Sequence, residues 1–441
     1  MEFKNGKGED FTASLQNALD TENEVVLYEG VYRTAPLDIT RPVKLELKKG
    51  AVLSFIPDFE LYEPVYTRWE GCMGYAMHPC LFIHDTENVT LTGDGVIDGN
   101  GQAWWKAVEN RRGDDMKPTT EIEKRFASLN PDYLSLDSGG GGRSIQFLRP
   151  PLLQIKDCNN VLVEKITLTN SPFWTFHPLF TTNLKIDGIK IVNPYEAPNS
   201  DGIDVDSCKN VEICNSHVQV GDDGICIKSG SGKDGIKVGV KTENIHIHHC
   251  TVLHAHGGGV IGSETAAGIE NISFEDCVFD HTDRGIRIKT RRGRGGLLKN
   301  LKFFNIRMEE NLAPFVINCY YRCGYKYKEV FSLEALPVNG ETPHIENVEI
   351  ENCVSNNSLA SAGMIVGLPE SKVENVTLKN CFFTVKPGTT ESIDLTDMYL
   401  GLPDIDSRGL RIRNAEVHIE DVIIKSGDDK EFVIEEGVEL N

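Results

Sequence analysis

The chain has 441 residues, of which 40% are hydrophobic and 25% charged, enough apolar sequence for a sizeable core. Its formal net charge of −21 argues against nucleic acid and anionic membranes as partners. No stretch is long and apolar enough to span a bilayer, and the polar start Met1–Gly6 is unlike a signal peptide, so we expect a cytoplasmic protein. In that reducing compartment the twelve cysteines should be free, buried thiols.

The N-terminal segment, about residues 1–22, is predicted to be a helical cap. Asp10 would begin a short helix, and such a helix would cover the exposed end of a β core. The apolar face of the helix holds Phe11, Leu15, Ala18 and Leu19. Short strand-like runs separated by Gly or Pro follow at Glu24–Tyr28, Val43–Leu47 and Val52–Phe55.

An asparagine followed by an aliphatic residue then recurs, mostly at spacings of roughly 23 to 34 residues. These asparagines are Asn88, Asn160, Asn183, Asn210, Asn244, Asn271, Asn300, Asn347 and Asn375. Cysteines occupy a repeated slot six places later at Cys250, Cys277, Cys353 and Cys381, which indicates an internal packing ladder. Because no long helix interrupts the repeats, we predict an all-β, single-domain, right-handed parallel β-helix over residues 1–441.

One segment, about residues 104–149, is charged, contains Gly and Pro, and shows little strand pattern. A long insertion in a compact repeat fold is usually functional or disordered. We interpret it as a lid or wall beside a groove, with disorder as the alternative. Residues Tyr320–Pro343 lengthen another repeat and would form a second wall.

Two adjacent carboxylates, Asp222 and Asp223, stand in the otherwise apolar run Val220–Lys228. Burying such a pair costs desolvation energy, so it either binds a cation or takes part in chemistry. Adjacent strand residues point to opposite faces, so both can face one groove only where the backbone is irregular, which Gly221 and Gly224 permit.

Three further features lie with this pair on four consecutive repeats, each one repeat from the next. Asp201 adds a third carboxylate, and crowded carboxylates raise one pKa, as a general acid in glycoside hydrolysis requires. His256 precedes three glycines, where the backbone can approach a ligand closely. Arg287 and Lys289 share one strand face and suit a sugar carboxylate. Their succession on consecutive repeats points to glycoside hydrolysis of an acidic sugar.

Each feature also has a plainer explanation. The aspartate pair could belong to a turn, and Arg287 and Lys289 could be exposed strand charges. Asp201, Asp204 and Asp206 could bind calcium, as in a pectate-lyase-like β-helix. Five neighbouring residues could bind zinc or could form a ladder of half-exposed side chains along one strand. They are His246, His248, His249, Cys250 and His254. The run Arg291–Arg294 could be a solvated basic loop.

Four motifs resemble those of glycoside hydrolase family 28, the polygalacturonases and their relatives. They are Asn199-Ser200-Asp201, Gly221-Asp222-Asp223, Ala255-His256-Gly257 and Arg287-Ile288-Lys289, and the resemblance runs from Val43 to at least Lys289. It implies a right-handed parallel β-helix and hydrolysis with inversion, without a metal or other cofactor. Ala255 stands where the family has Gly, a variation similar to that of bacterial exo-acting polygalacturonases.

The resemblance also implies roles for individual residues. Asp222 would be the general acid, Asp201 and Asp223 the bases that activate water, and His256 the group that tunes the acid. The residues contacting the sugar would be Asn199, Arg287, Lys289 and Tyr321, with Tyr320 equally placed for the last.

The implied reaction is hydrolysis of α-1,4-linked galacturonic acid in pectin-derived oligosaccharides, in exo mode because the insertion would wall off one end of the groove. The alternatives are a hydrolase of rhamnogalacturonan or other decorated pectin fragments, a calcium-dependent pectate lyase, and a non-catalytic β-helix that binds acidic glycan. The oligomeric state stays open, since the flat outer faces of a solenoid allow a homo-oligomer.

Overall fold

The structure, a computed structural model, describes residues 1–110, 117–132, 135, 149–428 and 430–441. These residues divide into two compact units. The first unit comprises residues 1–69, 73–110, 117–132, 135 and 149–222, and the second comprises 70–72, 223–428 and 430–441. The single domain over residues 1–441 stays a prediction.

Most strands of the first unit pair in two sheets, A1 and B1. Sheet A1 contains Glu2–Phe3, Lys7–Asp10, Glu24–Leu27, Gly30–Thr34, Lys44–Leu47, Ala51–Phe55, Glu87–Thr92, Val96–Asp98, Asn159–Glu164, Thr167–Thr169, Thr182–Asp187, Lys190–Val192, Lys209–Cys214 and His217–Gln219. Sheet B1 contains Leu37–Ile39, Leu81–His84, Leu153–Lys156, Phe176–Leu179 and Ile203–Asp206. A separate two-stranded sheet is formed by Pro64–Trp69 and Cys72–Met77.

The second unit repeats this arrangement in sheets A2 and B2. Sheet A2 contains Thr242–His248, Thr251–Leu253, Ile269–Glu275, Val278–Asp280, Leu297–Phe304, Arg307–Glu309, His344–Glu351, Val354–Ser358, Val373–Val385, Ala415–Lys425 and Glu439–Leu440. Sheet B2 contains Asp223–Lys228, Gly257–Gly262, Arg284–Lys289, Ala313–Asn318, Met364–Val366, Leu410–Arg413 and Phe432–Ile434.

Neighbouring strands in these sheets pair in parallel and come from successive coils, so Asp223 is opposite Gly257 and Gly257 is opposite Arg284. Aliphatic and aromatic side chains that alternate along the strands are buried between the sheets of each unit. The prediction of an all-β, right-handed parallel β-helix is confirmed.

The repeated asparagines explain the sequence period. All nine have φ between 51° and 60°, a left-handed conformation that asparagine tolerates better than most residues. Their side-chain amides also bond from coil to coil, as from Asn271 to Asn244 at 3.1 Å and from Asn300 to Asn271 at 2.8 Å. A conformational requirement and a hydrogen-bonded ladder therefore place asparagine at one point of each coil.

The cysteines are free, as predicted, and all except the half-buried Cys323 are buried. The four in the repeated slot donate to the carbonyl oxygen two residues earlier, for example Cys277 Sγ to Glu275 O at 3.2 Å. They pack inside the turn that follows each asparagine strand.

The predicted N-terminal cap helix is confirmed and spans Thr12–Thr21, although the cap segment also holds two short strands. Its buried residues are Leu15, Ala18 and Leu19. The Gln16 side chain bonds the backbone N–H and C=O of Asp38 at 2.9 and 3.0 Å. The helix thereby packs on Leu37–Ile39, the first strand of sheet B1.

The described residues contain three further short helices, of 9, 9 and 7 residues, none of them long enough to replace the β repeats. They span Gln102–Asn110, Glu121–Leu129 and Gly232–Val238, with short 3-10 turns at Phe59–Leu61, Lys328–Phe331 and Ile393–Thr396. The second begins with a capping box between Thr120 and Glu123, a signal readable in the sequence. The rest of the predicted lid, residues 111–116, 133–134 and 136–148, lies outside the described residues. Among the described residues, no helix has the length and apolarity to cross a membrane.

Candidate active site

In the first unit, Asn199 and Asp222 lie close together. Asn199 adopts a left-handed conformation, with φ of 52°, and its Nδ2 lies 3.4 Å from Asp222 Oδ2. Its Oδ1 accepts a hydrogen bond from Arg149 Nη2 at 2.9 Å, which leaves the amide nitrogen to face Asp222. Arg149 is buried, donates also to Pro198 O, and lies over the Phe173 ring. Sequence reasoning missed Arg149.

The backbone at the aspartate pair is irregular, as the sequence required. Gly221 and Asp222 form a bend, and the strand begins only at Asp223, so the alternation of faces does not apply between the two aspartates. A Cβ at Gly221 would lie 1.8 Å from Tyr195 O, which explains the glycine. Asp222 is half-buried and Asp223 buried.

Asp201 precedes Ile203–Asp206, a strand of sheet B1, and its side chain is buried. Its carbonyl oxygen accepts a hydrogen bond from Thr175 N at 2.8 Å, which fixes the backbone at this point.

The second unit brings Asp223, Arg287 and Lys289 together on sheet B2. Arg287 Nη1 donates to Asp223 Oδ1 at 3.1 Å, and Lys289 Nζ donates to Asp223 Oδ2. Exposed fractions of only 1% for Arg287 and 5% for Lys289 contradict the alternative that these are exposed strand charges.

These charges decide the protonation of Asp223. Burial alone would raise the pKa of this carboxyl group, but the positive charges of Lys289, Arg287 and Lys228 outweigh burial and hold the pKa well below its usual range. Burial would lower the pKa of Lys289, yet the Asp223 charge raises it. Asp223 is therefore a carboxylate at neutral pH, the state that a general base needs.

Tyr321 and Tyr320 differ in their surroundings. The Tyr321 ring centre lies 5.4 Å from Arg287 Cζ and 5.2 Å from Lys289 Nζ, whereas Tyr320 faces Arg292 Cζ at 6.0 Å. Tyr321 is thus the tyrosine next to the predicted site.

The basic run is structural, so the solvated-loop alternative is wrong. Arg291, Arg292 and Arg294 are all buried. Arg292 pairs with Glu370 at 2.5 Å and donates to Ser332 O at 2.7 Å, and the other two also donate to backbone oxygens. The run ties the surrounding loops together.

The glycines after His256 make room for packing, and the close approach of a ligand there stays a prediction. A Cβ at Gly258 would lie 2.3 Å from the Phe279 ring, and one at Gly259 would lie 2.9 Å from Phe274. A Cβ at Gly257 would lie 2.5 Å from Val260 Cγ2 and 3.3 Å from Arg287 Cδ, so this glycine makes room first for the valine and also for the arginine. His256 itself is half-buried at the start of the strand.

Asp397 joins the site from a distant loop. Its Oδ1 accepts from Arg287 Nη2 at 3.0 Å and lies 3.7 Å from Arg284 Nε, and its Oδ2 accepts from Asn318 Nδ2. Burial would raise the pKa of Asp397, but Arg287 and Arg284 lower it. Sequence reasoning missed this residue because it is one of several acids in a polar loop without repeat pattern.

One acid of the calcium alternative, Asp206, has another partner. Asp206 Oδ1 accepts from Arg68 Nη1 at 2.6 Å, with both side chains fully buried. Burial would raise the pKa of Asp206, but Arg68 and His177 bring it down to about 2. A guanidinium thus pairs with Asp206, one of the three acids that this alternative requires as metal ligands. Of the residues in the zinc alternative, His246 is about half exposed and pairs with Glu275 at 3.4 Å, as in a ladder of half-exposed side chains.

Comparisons with known proteins point to one family. The family model of glycosyl hydrolases family 28 matches residues 144–397. A probable polygalacturonase from Vitis vinifera is 28% identical over 80% of this chain, which spans 65% of that protein. An endo-polygalacturonase from Pectobacterium carotovorum subsp. carotovorum is 27% identical over 70% of this chain and 72% of its own length.

Solved structures agree as well. The exopolygalacturonase from Thermotoga maritima is 27% identical with a TM-score of 0.77, over 97% of this chain and 90% of its own. The family 28 exopolygalacturonase from Yersinia enterocolitica is 20% identical with a TM-score of 0.74, over 98% of this chain and 75% of its own, and shows the fold alone. Since the family model covers more than half of the 441 residues, this chain belongs to glycosyl hydrolases family 28.

Proposed function

We propose that this protein hydrolyses α-1,4-linked galacturonic acid in pectin-derived oligosaccharides, in exo mode and with inversion of configuration. The observation that carries the proposal is the cluster in which Arg287 and Lys289 hold Asp223 as a carboxylate beside the Tyr321 ring. It combines a base for water with buried cations that suit an acidic sugar.

In this mechanism Asp222 donates its proton to the glycosidic oxygen as the bond to the anomeric carbon breaks. Asp201 and Asp223 accept the proton of the attacking water on the opposite face of the sugar, which inverts the configuration. His256 tunes the acid. Arg287 and Lys289 bind the sugar carboxylate, Asn199 contacts the sugar, and Tyr321 stacks on it.

Two observations support exo action. The similar Thermotoga maritima protein is an exopolygalacturonase. Ala255 and the insertion after Trp104 are the features by which the sequence resembles exo-acting bacterial relatives. Within that insertion the described helices Gln102–Asn110 and Glu121–Leu129 are ordered elements that can form a wall.

Product analysis on a size-defined galacturonic acid oligomer tests the proposal, with ultraviolet absorbance recorded in parallel. We expect short products removed from one end from the first minutes, no rise in absorbance, and no activity of an Asp222→Asn control. A spread of intermediate oligomers would overturn exo action. Rising absorbance would indicate a lyase, and an intact oligomer would redirect the search to rhamnose-containing pectin fragments.

A further inference from the structure

Arg287 is held on two edges by two carboxylates. Nη1 donates to Asp223 at 3.1 Å, and Nη2 donates to Asp397 at 3.0 Å. The guanidinium is planar and rigid, so two contacts on separate nitrogens fix both its position and the orientation of its plane.

Asp397 is itself firmly held. Its second oxygen accepts from Asn318, and Arg284 binds the turn before it through Thr396 O and Leu395 O, both at 2.9 Å. The Asp397 side chain is fully buried, although it lies 110 residues from Arg287 along the chain. It is therefore a fixed anchor on the side of Arg287 away from Asp223.

Without that anchor, the arginine has a better arrangement available. A guanidinium prefers two parallel hydrogen bonds to one carboxylate. Freed from Asp397, Arg287 would turn both terminal nitrogens toward Asp223 and compete there with Lys289, which binds the second oxygen. Within the second unit the Lys228 charge also acts on Asp223, Cys226 Sγ donates to Asp223 Oδ2 at 3.9 Å, and the Tyr321 ring centre lies 5.4 Å from Arg287 Cζ.

We propose that Asp397 is a positioning residue that keeps Arg287 in single contact with Asp223 and so available to the substrate carboxylate. The inference rests on the proposed function of the same site. It assigns to Asp397, the residue after the turn Ile393–Thr396, a role in recognising the acidic sugar, in addition to packing.

Steady-state kinetics of Asp397→Asn on the galacturonic acid oligomer tests the role. Because Arg287 would be drawn onto Asp223, we expect KM to rise about tenfold, with a fall in kcat as well. A purely structural role would lower the amount of active enzyme, and with it kcat, at unchanged KM. That result would overturn the proposal.

A double-mutant cycle shows whether Asp397 acts through Arg287. In an Arg287→Lys background, where no fork can form, Asp397→Asn should change kcat/KM by less than about threefold. Equal losses in both backgrounds would overturn the proposal. The matched control is Asp394→Asn, an exposed acid on the same turn, which should leave both constants unchanged.

A second variant covers the case in which Asp397→Asn fails to fold. Asn318→Ala removes a neutral partner of Asp397 and should raise KM in the same direction by a smaller factor, an effect lost with Arg287→Lys. An unchanged KM would overturn the proposal. If the wild-type protein does not cleave the oligomer, the proposed function fails. If it cleaves the oligomer and Asp397→Asn has the wild-type KM, only this inference fails.

Discussion

Two buried ion-pair clusters in this protein use similar groups for different ends. In the first unit, Arg68 and Asp206 are fully buried, with His177, Gln154 and Thr67 continuing the network. It fastens the strand Pro64–Trp69 to sheet B1.

In the second unit, Asp223 is also buried between cations, but its neighbours are less enclosed. The residue before it, Asp222, is half-buried, and so is His256, which precedes the glycine paired with Asp223. The comparison teaches that a buried ion pair becomes a candidate catalytic group where half-buried polar residues adjoin it, and a structural one where its partners are enclosed.

The largest expected effect is on kcat, which should depend on Asp223 and not on Asp206. Asp223→Asn removes the proposed base and should lower kcat by roughly 10²- to 10⁴-fold. Asp206→Asn, its matched control, should leave kcat of the folded protein close to the wild-type value. Initial rates on the galacturonic acid oligomer measure both, and similar losses for the two variants would erase the distinction.

The substitution of Asp206, which should leave activity unchanged, should instead lower the stability of the protein. Asp206→Asn leaves Arg68 buried without its carboxylate, which we expect to lower the free energy of unfolding by about 3–5 kcal/mol. Denaturant titration measures this change. The control Glu24→Gln removes a partly exposed partner of Lys44 and should cost less than about 1 kcal/mol. Equal costs would show that enclosure does not matter.

Lys289→Gln tests the recognition half of the second cluster. Loss of one charge-assisted hydrogen bond to a substrate carboxylate should lower kcat/KM by roughly 10- to 100-fold. The control Lys302→Gln changes a half-exposed lysine on sheet A2 and should have no effect on kcat/KM. If both variants behave alike, Lys289 does not bind the substrate.

Lowering the pH should weaken the Arg68–Asp206 ion pair over a defined pH range. The pKa of Asp206 is about 2 when folded, below its unfolded value, so its stabilising effect is complete above about pH 4 and lost as the pH falls through 2. The difference in unfolding free energy between the wild type and Asp206→Asn should therefore narrow from pH 5 towards pH 2. A difference that stays constant would contradict the assigned pKa.

The smallest expected effect on stability comes from the asparagine ladder, which lies outside both clusters. Asn271→Ala puts a residue that disfavours positive φ into the ladder and removes its hydrogen bonds, which should cost about 1 kcal/mol. Asn271→Gly, which accepts the conformation, should cost less. Thermal unfolding measures both, and a larger loss for glycine would refute the conformational explanation.

Much of the fold was readable because it is periodic. An asparagine such as Asn271 and a cysteine six places later, such as Cys277, recur at equivalent positions of several repeats. Their regular spacing predicts strands that stack from coil to coil. The capping box at Thr120 is equally readable and marks the start of the helix Glu121–Leu129, which strand periodicity alone does not predict. Burial of Arg291–Arg294 could not be foreseen, because their partners are backbone oxygens and Glu370 in distant loops.

The sequence by itself determined the β-helix, the register of the motifs and the candidate residues Asp201, Asp222, Asp223, Arg287 and Lys289. Local propensity and a fixed period suffice for that, since equal spacing places equal positions on one face of successive coils. Only the tertiary structure decided how these residues are held: Arg149 on Asn199, and Asp397 on Arg287. Such partners come from aperiodic segments, and the folded chain alone determines which of their polar side chains meet.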